Sequence, residues 1–234
     1  MAASRLKGKP LLEINNVPII CHVLNKAMET GLEAIVATED KEIVTAVEQN
    51  GGGKVILTGN HKTGTDRIFE AFKKLKIKNV DYILNLQGDE PMIDPKDIIN
   101  LNKLMIKNNS DIGTLASEIK KDTMLTNENI VKVITEKKLE NNNFVKALNF
   151  LRKGLKKENS NIYHHIGIYC YKVSVLEKFI NLDQTKNEIK NRLEQLRALD
   201  NNIKINVALA ESSPIGVDTK EDYLALKKIM EYKS

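Results

Sequence analysis

The fold of this chain is decided by residues 54–86, which read KVILTGNHKTGTDRIFEAFKKLKIKNVDYILNL. A short run of β-branched and other apolar residues stands at each end of the stretch, at 54–57 and at 82–86. The apolar residues between these runs recur at the spacing of one helix face, namely Ile68, Phe69, Phe72 and Leu75. Strand, helix and strand in this order are typical of an α/β fold with a parallel sheet.

The same alternation extends towards the N-terminus. Apolar periodicity predicts a helix over 19–27, a strand over 34–37 and a second helix over 43–47. A further helix is expected around 98–106. These elements predict a doubly wound, mostly parallel sheet, and ligands of such sheets bind beyond the carboxyl ends of the strands.

The middle of the chain has a different pattern. Three strand-like stretches, 130–134, 144–150 and 162–171, are separated by polar loops with no helix between them. They predict a small antiparallel part on the substrate side of the fold. We expect one domain over residues 1–234, in which a substrate or dimerisation subdomain is embedded at about 125–200.

The last third returns to the alternating pattern. Residues 189–199 have helical spacing, residues 203–209 are expected to form a strand, and Thr219 with Asp222 predicts the start of a final helix. The α/β pattern therefore continues into the C-terminal region.

Composition excludes several classes of protein. The 234 residues are 41% hydrophobic and 29% charged, with a net charge of +5, so the chain can close a sizeable core. An aromatic content of 5% without tryptophan argues against a nucleic-acid-binding surface. The apolar runs are far shorter than the roughly 18 residues that span a bilayer, so no membrane segment is expected. Cys21 and Cys170 lie in apolar stretches without ligand spacing, which favours reduced thiols and a cytoplasmic protein.

A basic loop lies close to the N-terminus. Arg5, Lys7 and Lys9 flank Gly8 ahead of Pro10, a spacing that lets the backbone approach an anion while the cations neutralise it. The pattern predicts a polyphosphate-binding loop, with a solvated basic tail as the alternative. In a doubly wound nucleotide fold such a loop follows an apolar strand, and we expect that this first strand is lacking from the chain as given.

Two aspartates occupy matching positions in predicted loops. Asp89 follows a strand in QGDEP (87–91), and Asp218 lies in GVDT (216–219) ahead of the last helix. Two such carboxylates, together with the phosphates of a nucleotide, form the hard oxygen ligation that suits Mg²⁺. The alternative for each aspartate is a turn or N-cap role.

Further polar residues lie on predicted regular elements. Strict alternation places His165 and Tyr169 on one face of their strand, where they can line one pocket. The alternative for a strand histidine is an ordinary hydrogen-bonded polar group. Glu194 and Gln195 lie on the predicted helix over 189–199, where simple exposure to solvent is the alternative to a binding role.

Taken together, these segments resemble, in order along the chain, the bacterial 3-deoxy-manno-octulosonate (Kdo) cytidylyltransferases. The similarity lies in RLKGKPL (5–11), TGTDR (63–67), QGDEP (87–91), HIGIY (165–169), LEQLR (193–197) and GVDT (216–219). The chain departs from the family at Lys7, where proline is usual, and at NFLR (149–152), where an aromatic-Ser-Arg segment is expected ahead of a longer loop.

The resemblance implies a fold like that of the nucleotide-diphospho-sugar transferases and the transfer of CMP from CTP to Kdo, with release of pyrophosphate, for lipopolysaccharide biosynthesis. It implies a homodimer, and four catalytic residues that hold the phosphates or Mg²⁺: Arg5, Lys9, Asp89 and Asp218. By the same resemblance the nucleotide also contacts Thr63, Gly64, Thr65 and Arg67. The sugar would be bound by Gln87, Arg152, His165, Tyr169, Glu194 and Gln195.

Two other interpretations stay open on the sequence alone. A sugar nucleotidyltransferase that acts on a different sugar acid would keep the phosphate loop and the aspartates, but it would change the residues around His165 and Glu194. A front-truncated, inactive homologue would keep all these motifs without turning over.

Overall fold

The structure is a computed structural model that describes residue 6 and residues 8–153, 161–214 and 216–232. These residues form two compact units. The first unit comprises Met1–Asn79, Leu86–Ile98 and Pro214–Ser234, and the second comprises Val80–Asn85 and Ile99–Ser213. The subdomain expected at about 125–200 lies within the second unit, and the assignment of the chain to one domain stays a prediction.

Strands and helices alternate along the described chain. The strands are β1 Glu13–Ile14, β2 Val17–Pro18, β3 Ile35–Thr38, β4 Lys54–Leu57, β5 Tyr82–Leu86, β6 Ile112–Ser117, β7 Lys132–Thr135, β8 Val145–Leu151, β9 Ile162–Lys172 and β10 Ile205–Leu209. The helices are α1 Ile19–Met28, α2 Lys41–Gln49, α3 Gly64–Leu75, α4 Pro95–Asn108, α5 Asp122–Thr126, α6 Val173–Phe179, α7 Lys186–Asn191, α8 Gln195–Asp200 and α9 Lys220–Tyr232. A short 3-10 helix spans Lys9–Leu11.

The first unit contains a parallel pair of strands. β3 and β4 pair in parallel, with Ile35 opposite Lys54 and Thr38 opposite Leu57. The helix α2 connects them, as the alternating pattern predicts. The carboxyl ends of both strands therefore lie at one edge of this sheet, where the residues that follow them are brought side by side.

Apolar packing in the first unit joins the two ends of the chain. Ile14, Ile19 and Val23 pack with Val217 and Leu226 in one buried cluster. Burial of each such side chain stabilises the fold by about 1.5–3 kcal/mol. Since Leu86 packs against the same cluster, the loop after β5 and the loop before α9 are anchored to one core.

The second unit is built on a six-stranded mixed sheet of order β5-β9-β6-β10-β8-β7. β6 and β10 are parallel, whereas β9 runs antiparallel to β6 and β8 runs antiparallel to β10. The antiparallel strands predicted for the middle of the chain are thus present, and they share a sheet with the parallel strands β6 and β10. Every residue of β6 is buried. This strand was not predicted, because Gly113, Thr114 and Ser117 interrupt its apolar run.

A bulge interrupts the pairing of β9 with β6. Thr114 lies opposite Tyr169, but the next residue, Leu115, lies opposite Ile166, so two residues of β9, Gly167 and Ile168, have no counterpart on β6. A bulge of this kind bends a strand and changes the direction of nearby side chains. The regular alternation predicted for β9 is therefore interrupted at this bulge.

The single helix predicted over 189–199 is wrong. The structure has two helices, α7 and α8, with a break at Arg192, whose φ of 53° is left-handed. The Arg192 N–H donates to Glu188 O and closes the end of α7. Apolar spacing alone could not show this break, because the apolar positions continue across it.

Membrane-spanning helices are absent from the described residues, since none of their helices is both long enough and apolar enough to cross a bilayer.

Gly113 is expected to tolerate no side chain. A methyl group there would lie 2.5 Å from Met105 Sδ and 2.7 Å from Phe144 Cζ, so Gly113→Ala should lower the free energy of unfolding by about 1–3 kcal/mol. Gly59→Ala is the control, because its nearest neighbour, Glu70 Oε2, would be 3.5 Å away, and a change within about 0.5 kcal/mol is expected. Urea denaturation measures both variants, and equal stabilities would contradict the packing described for β6.

Candidate active site

Two loops of the first unit bring the predicted aspartates together. Asp89 follows β5 and Asp218 precedes α9. The Val217 N–H donates to Asp89 O at 3.0 Å, which joins the loops through their backbones. The N-cap role considered for Asp218 is taken by its neighbours, because Thr219 Oγ1 accepts from the Asp222 N–H and Asp222 Oδ2 accepts from the Thr219 N–H. The carboxylate of Asp218 is thereby left for another partner.

That partner is Lys9. Its Nζ is bound to Asp89 Oδ2, lies 3.2 Å from Asp218 Oδ1 and donates to Val217 O at 2.9 Å. Burial alone would lower the pKa of Lys9, but the charges and hydrogen bonds of Asp89 and Asp218 raise it above its usual value. Lys9 is therefore a cation at neutral pH. Gly8, with a φ of 67°, begins the 3-10 helix that carries it. Arg5, the other predicted phosphate ligand, lies outside the described residues.

The donor set around Lys9 fits a divalent cation. Three oxygens, from two carboxylates and one carbonyl, converge on a single positive charge, and Mg²⁺ takes such hard oxygen ligands. In the described part of the chain, no group of three or more His, Cys, Asp or Glu side chains could hold a metal ion. Asp89 and Asp218 would therefore hold a divalent ion weakly on their own, and a bound phosphate compound would supply the further oxygens.

The predicted nucleotide loop forms the start of α3. Thr63 caps this helix, since its Oγ1 accepts from the Asp66 N–H and donates to Asp66 Oδ2 at 2.9 Å. Thr65 is buried, and Gly64 lies close to Gln87, whose Nε2 would be 3.9 Å from a Cβ at Gly64. Gln87 thus belongs with the nucleotide loop in the first unit.

A polar cluster that the sequence did not reveal lies at the carboxyl ends of β3 and β4. Glu39 follows β3, Thr58 follows β4, and Arg67 NH2 lies 3.1 Å from Glu39 Oε1. Glu39 Oε2, Thr58 Oγ1 and Arg67 Nε are buried, and within the described ranges they have no hydrogen-bond partner. Buried polar atoms normally have partners, so these three are the groups a bound ligand would satisfy. Glu39 carries no motif signal that could have found it.

The predicted sugar-binding residues of the second unit also meet. The rings of His165 and Tyr169 have centroids 5.4 Å apart, and Phe150 packs edge-on against His165 at 5.2 Å. In a regular strand, residues four apart are separated by about 13 Å, so the β9 bulge brings the two rings into contact. His165 and Tyr169 thus lie side by side because of the bulge and not through plain alternation, and their role in binding stays a prediction.

Electrostatics connects this pair to two further predicted residues. Burial, with the charges of His164 and Arg152, lowers the pKa of His165 to about 3, so its ring is neutral. Burial, with Tyr171 and Glu194, raises the pKa of Tyr169 well above its usual value. The Tyr169 hydroxyl is buried and makes no hydrogen bond within the described part of the chain. A buried hydroxyl without a partner costs free energy, and a ligand that forms a hydrogen bond with it would remove this cost.

The backbone carbonyl of Arg152 is bound by a lysine that no sequence pattern indicated. Lys132 is fully buried, and its Nζ donates to Arg152 O at 3.0 Å and to Asn127 O at 2.6 Å. Arg152 itself donates to Glu128 O and Asn129 O. Burial, with the charge of Arg152, lowers the pKa of Lys132. A lysine at the start of a strand normally indicates exposure, which is why the pattern gave no sign of it.

Glu194 and Gln195 begin α8, directly after the break that follows α7. The motif residue behind them, Arg197, is buried and makes a bidentate pair with Glu188 of α7, through Nε at 2.8 Å and NH2 at 2.6 Å. Its guanidinium also lies 4.8 Å from the ring centroid of Phe179. Arg197 therefore has a structural role, because it joins α8 to α7.

Comparison with known proteins defines the class. Residues 1–205 match the Cytidylyltransferase family. The chain is similar to the solved structure of CMP:2-keto-3-deoxy-manno-octonic acid synthetase complexed with CTP, at 33% identity and a TM-score of 0.86, covering 99% of this chain and 95% of that one. An apo UDP-glucose pyrophosphorylase shares the fold at 13% identity and a TM-score of 0.73, covering 100% and 96% of the two chains. The class is thus a nucleotidyltransferase of the nucleotide-diphospho-sugar transferase fold, and the predicted fold class is confirmed.

Individual relatives narrow the class further. The 3-deoxy-manno-octulosonate cytidylyltransferase of Bartonella tribocorum is 38% identical over 232 residues, which are 98% of this chain and 95% of that protein. The enzyme of the same name from Agrobacterium fabrum is 40% identical over 232 residues, at 98% and 92%. The chain belongs to the 3-deoxy-manno-octulosonate cytidylyltransferase family. The family predicted from the motifs is confirmed.

The Glu188–Arg197 pair supplies a stability prediction. Arg197→Ala leaves the Glu188 carboxylate buried without its partner, so the free energy of unfolding should fall by about 3–5 kcal/mol. The double variant Glu188→Leu/Arg197→Met replaces both charges by apolar groups and should be distinctly more stable than Arg197→Ala. Chemical denaturation compares the three proteins, and an Arg197→Ala variant as stable as the wild type would rule out the structural role.

Proposed function

We propose that this chain transfers CMP from CTP to 3-deoxy-manno-octulosonate and releases pyrophosphate. The observation that carries the proposal is the convergence of Asp89, Asp218 and Val217 O on one cation, in a chain of this family. A site that gathers carboxylates around a positive charge suits a metal–triphosphate complex. The relatives' names supply the identities of nucleotide and sugar.

The reaction is an in-line displacement at phosphorus. The anomeric hydroxyl oxygen of the sugar forms a bond to the α-phosphorus, the bond from that phosphorus to the bridging oxygen breaks, and pyrophosphate leaves while the hydroxyl proton is lost. Both substrates are anions, so the protein must hold them together and neutralise the charge that develops. Mg²⁺, held by Asp89 and Asp218, supplies charge neutralisation and Lewis acidity when it is bound.

Lys9 changes partner in this proposal. In the structure its ammonium pairs with both Asp89 and Asp218, and a divalent ion would pair with them in the loaded site. Lys9 would then be available, together with Arg5, to bind the β- and γ-phosphates. Thr63, Gly64, Thr65 and Arg67 contact the nucleotide, and Glu39 holds the Arg67 guanidinium in place.

In this proposal, residues of the second unit bind the sugar. Arg152 supplies the cation for the sugar carboxylate, and the orphaned hydroxyl of Tyr169 bonds to a sugar oxygen. His165, Glu194 and Gln195 bond to the sugar hydroxyls, and the family resemblance assigns Gln87 to the sugar as well. Two free, buried cysteines fit the reducing cytoplasm as the compartment, and the homodimer is proposed from the family.

The function is tested by measuring pyrophosphate release with purified protein, Mg²⁺, and CTP or UTP, with and without Kdo. Release that requires both CTP and Kdo is expected. Release with another sugar acid but not with Kdo would favour the sugar nucleotidyltransferase of different specificity. A folded protein that binds CTP but releases no pyrophosphate with any sugar acid would contradict the activity.

The metal assignment predicts the effect of removing either carboxylate charge. Asp89→Asn and Asp218→Asn should each lower kcat by about a hundredfold or more, which corresponds to roughly 3 kcal/mol of transition-state stabilisation. Asp94→Asn is the control, because Asp94 lies near the same loop and accepts from the Lys96 N–H, a role asparagine fills equally well. Steady-state kinetics with saturating Mg²⁺ decides, and wild-type kcat in both test variants would refute the assignment.

The change of partner proposed for Lys9 predicts the metal affinity of the free protein. Lys9→Met removes the competing cation, so Mn²⁺ should bind at least about tenfold more tightly without nucleotide, a gain of ~1.4 kcal/mol. CTP should bind more weakly to the same variant, because a charged phosphate contact is lost. Lys54→Met, which removes an exposed lysine paired with Glu33, is the control. Calorimetric titration with Mn²⁺ and then with CTP measures both, and unchanged or weaker Mn²⁺ binding to Lys9→Met would overturn the exchange.

A further inference from the structure

Thr114 is buried in β6 directly beside the bulge of β9. Its hydroxyl oxygen lies 2.6 Å from Ile168 O, 3.4 Å from Ile166 O and 3.0 Å from His165 Nε2. Thr114 is fully buried, and His165 is 8% exposed. The three partners all come from the stretch of β9 that the bulge distorts.

The protons in this group can be assigned by counting donors. A threonine hydroxyl has one proton, and a carbonyl oxygen can only accept. The hydroxyl proton of Thr114 is therefore used by the carbonyls of the bulge, chiefly by Ile168 O. The hydroxyl oxygen is then the acceptor for His165, so His165 Nε2 must carry a hydrogen. In a neutral imidazole the other nitrogen, Nδ1, keeps its lone pair and can only accept.

The neutral state of the ring rests on its surroundings. His165 is enclosed by Phe150 and Tyr169, and the two charged or chargeable groups that act on it, His164 and Arg152, both oppose a positive charge. The ring is therefore unsuited to pair with a carboxylate. It is suited to accept a hydrogen bond from a hydroxyl group.

We propose that Thr114 is a positioning residue, which fixes His165 as the Nε2–H tautomer so that Nδ1 accepts a hydrogen bond from a hydroxyl of the sugar acid. This inference rests on the proposed function for the identity of the sugar. It assigns two groups of the sugar to different residues, the carboxylate to Arg152 and one hydroxyl to His165.

A double-mutant cycle tests the coupling between the two residues. Thr114→Val keeps the shape of the side chain and removes the acceptor, so it should weaken Kdo binding about tenfold and leave CTP binding unchanged. In a His165→Ala background the same substitution should cause no further loss of Kdo affinity. Thr114→Ser keeps the hydroxyl and should bind Kdo within about twofold of the wild type. Equal losses on both backgrounds would overturn the proposal, because a merely structural threonine would act independently of His165.

The tautomer itself is measured without any sugar. Nitrogen-15 NMR of the His165 ring at neutral pH should show a single Nε2–H tautomer in the wild type and in Thr114→Ser. In Thr114→Val, signals of both tautomers are expected. An Nδ1–H tautomer in the wild type would overturn the proposal, even if Thr114→Val failed to fold. A protein with the expected tautomer that does not bind Kdo would instead contradict the proposed function.

Discussion

Two ionised carboxylates in one site repel each other unless a cation lies between them, and this constraint organises the first unit. Asp89 and Asp218 come from distant parts of the chain, and Lys9 pairs with both. The loop of Asp89 and the loop of Asp218 are held together by the hydrogen bond from the Val217 N–H to Asp89 O and by the apolar core that both loops contact. The fold itself therefore holds the two acidic loops together around one positive charge.

In the second unit, the neutral polar side chains of Thr114, His165 and Tyr169 are buried among apolar residues. The bulge in β9 turns carbonyls towards Thr114 and brings His165 against Tyr169. Thr114 and His165 are hydrogen-bonded to each other, whereas the buried hydroxyl of Tyr169 makes no hydrogen bond within the residues that the structure describes. Lys132, which is fully buried, and Arg152 both donate hydrogen bonds to backbone carbonyls of residues 127–129.

The sequence predicted the elements whose apolar pattern is regular, such as α1, β4 and β5, and the motifs that define the family. It could not predict β6, because the small and polar residues that pack in that strand break its apolar run. The break at Arg192 was missed because the apolar positions continue across it, and the buried Glu188–Arg197 pair that joins the two helices has no apolar signature. The roles of Glu39 and Thr114 also follow from contacts distant in sequence. Motifs indicated Thr63, Arg67 and the two aspartates as residues of the site. What these residues do in the reaction stays a prediction.

The core that joins Ile14 and Ile19 to Val217 and Leu226 also constrains how the protein can fold during synthesis. A ribosome releases the N-terminal partners of this core long before it has made the C-terminal ones. Until Val217 and Leu226 have been made, the part of α1 that they cover stays exposed, and apolar surfaces of this kind favour aggregation. Closing so long a loop is also slow. The core of the first unit is thus completed late in synthesis, after most of the residues before it have been made.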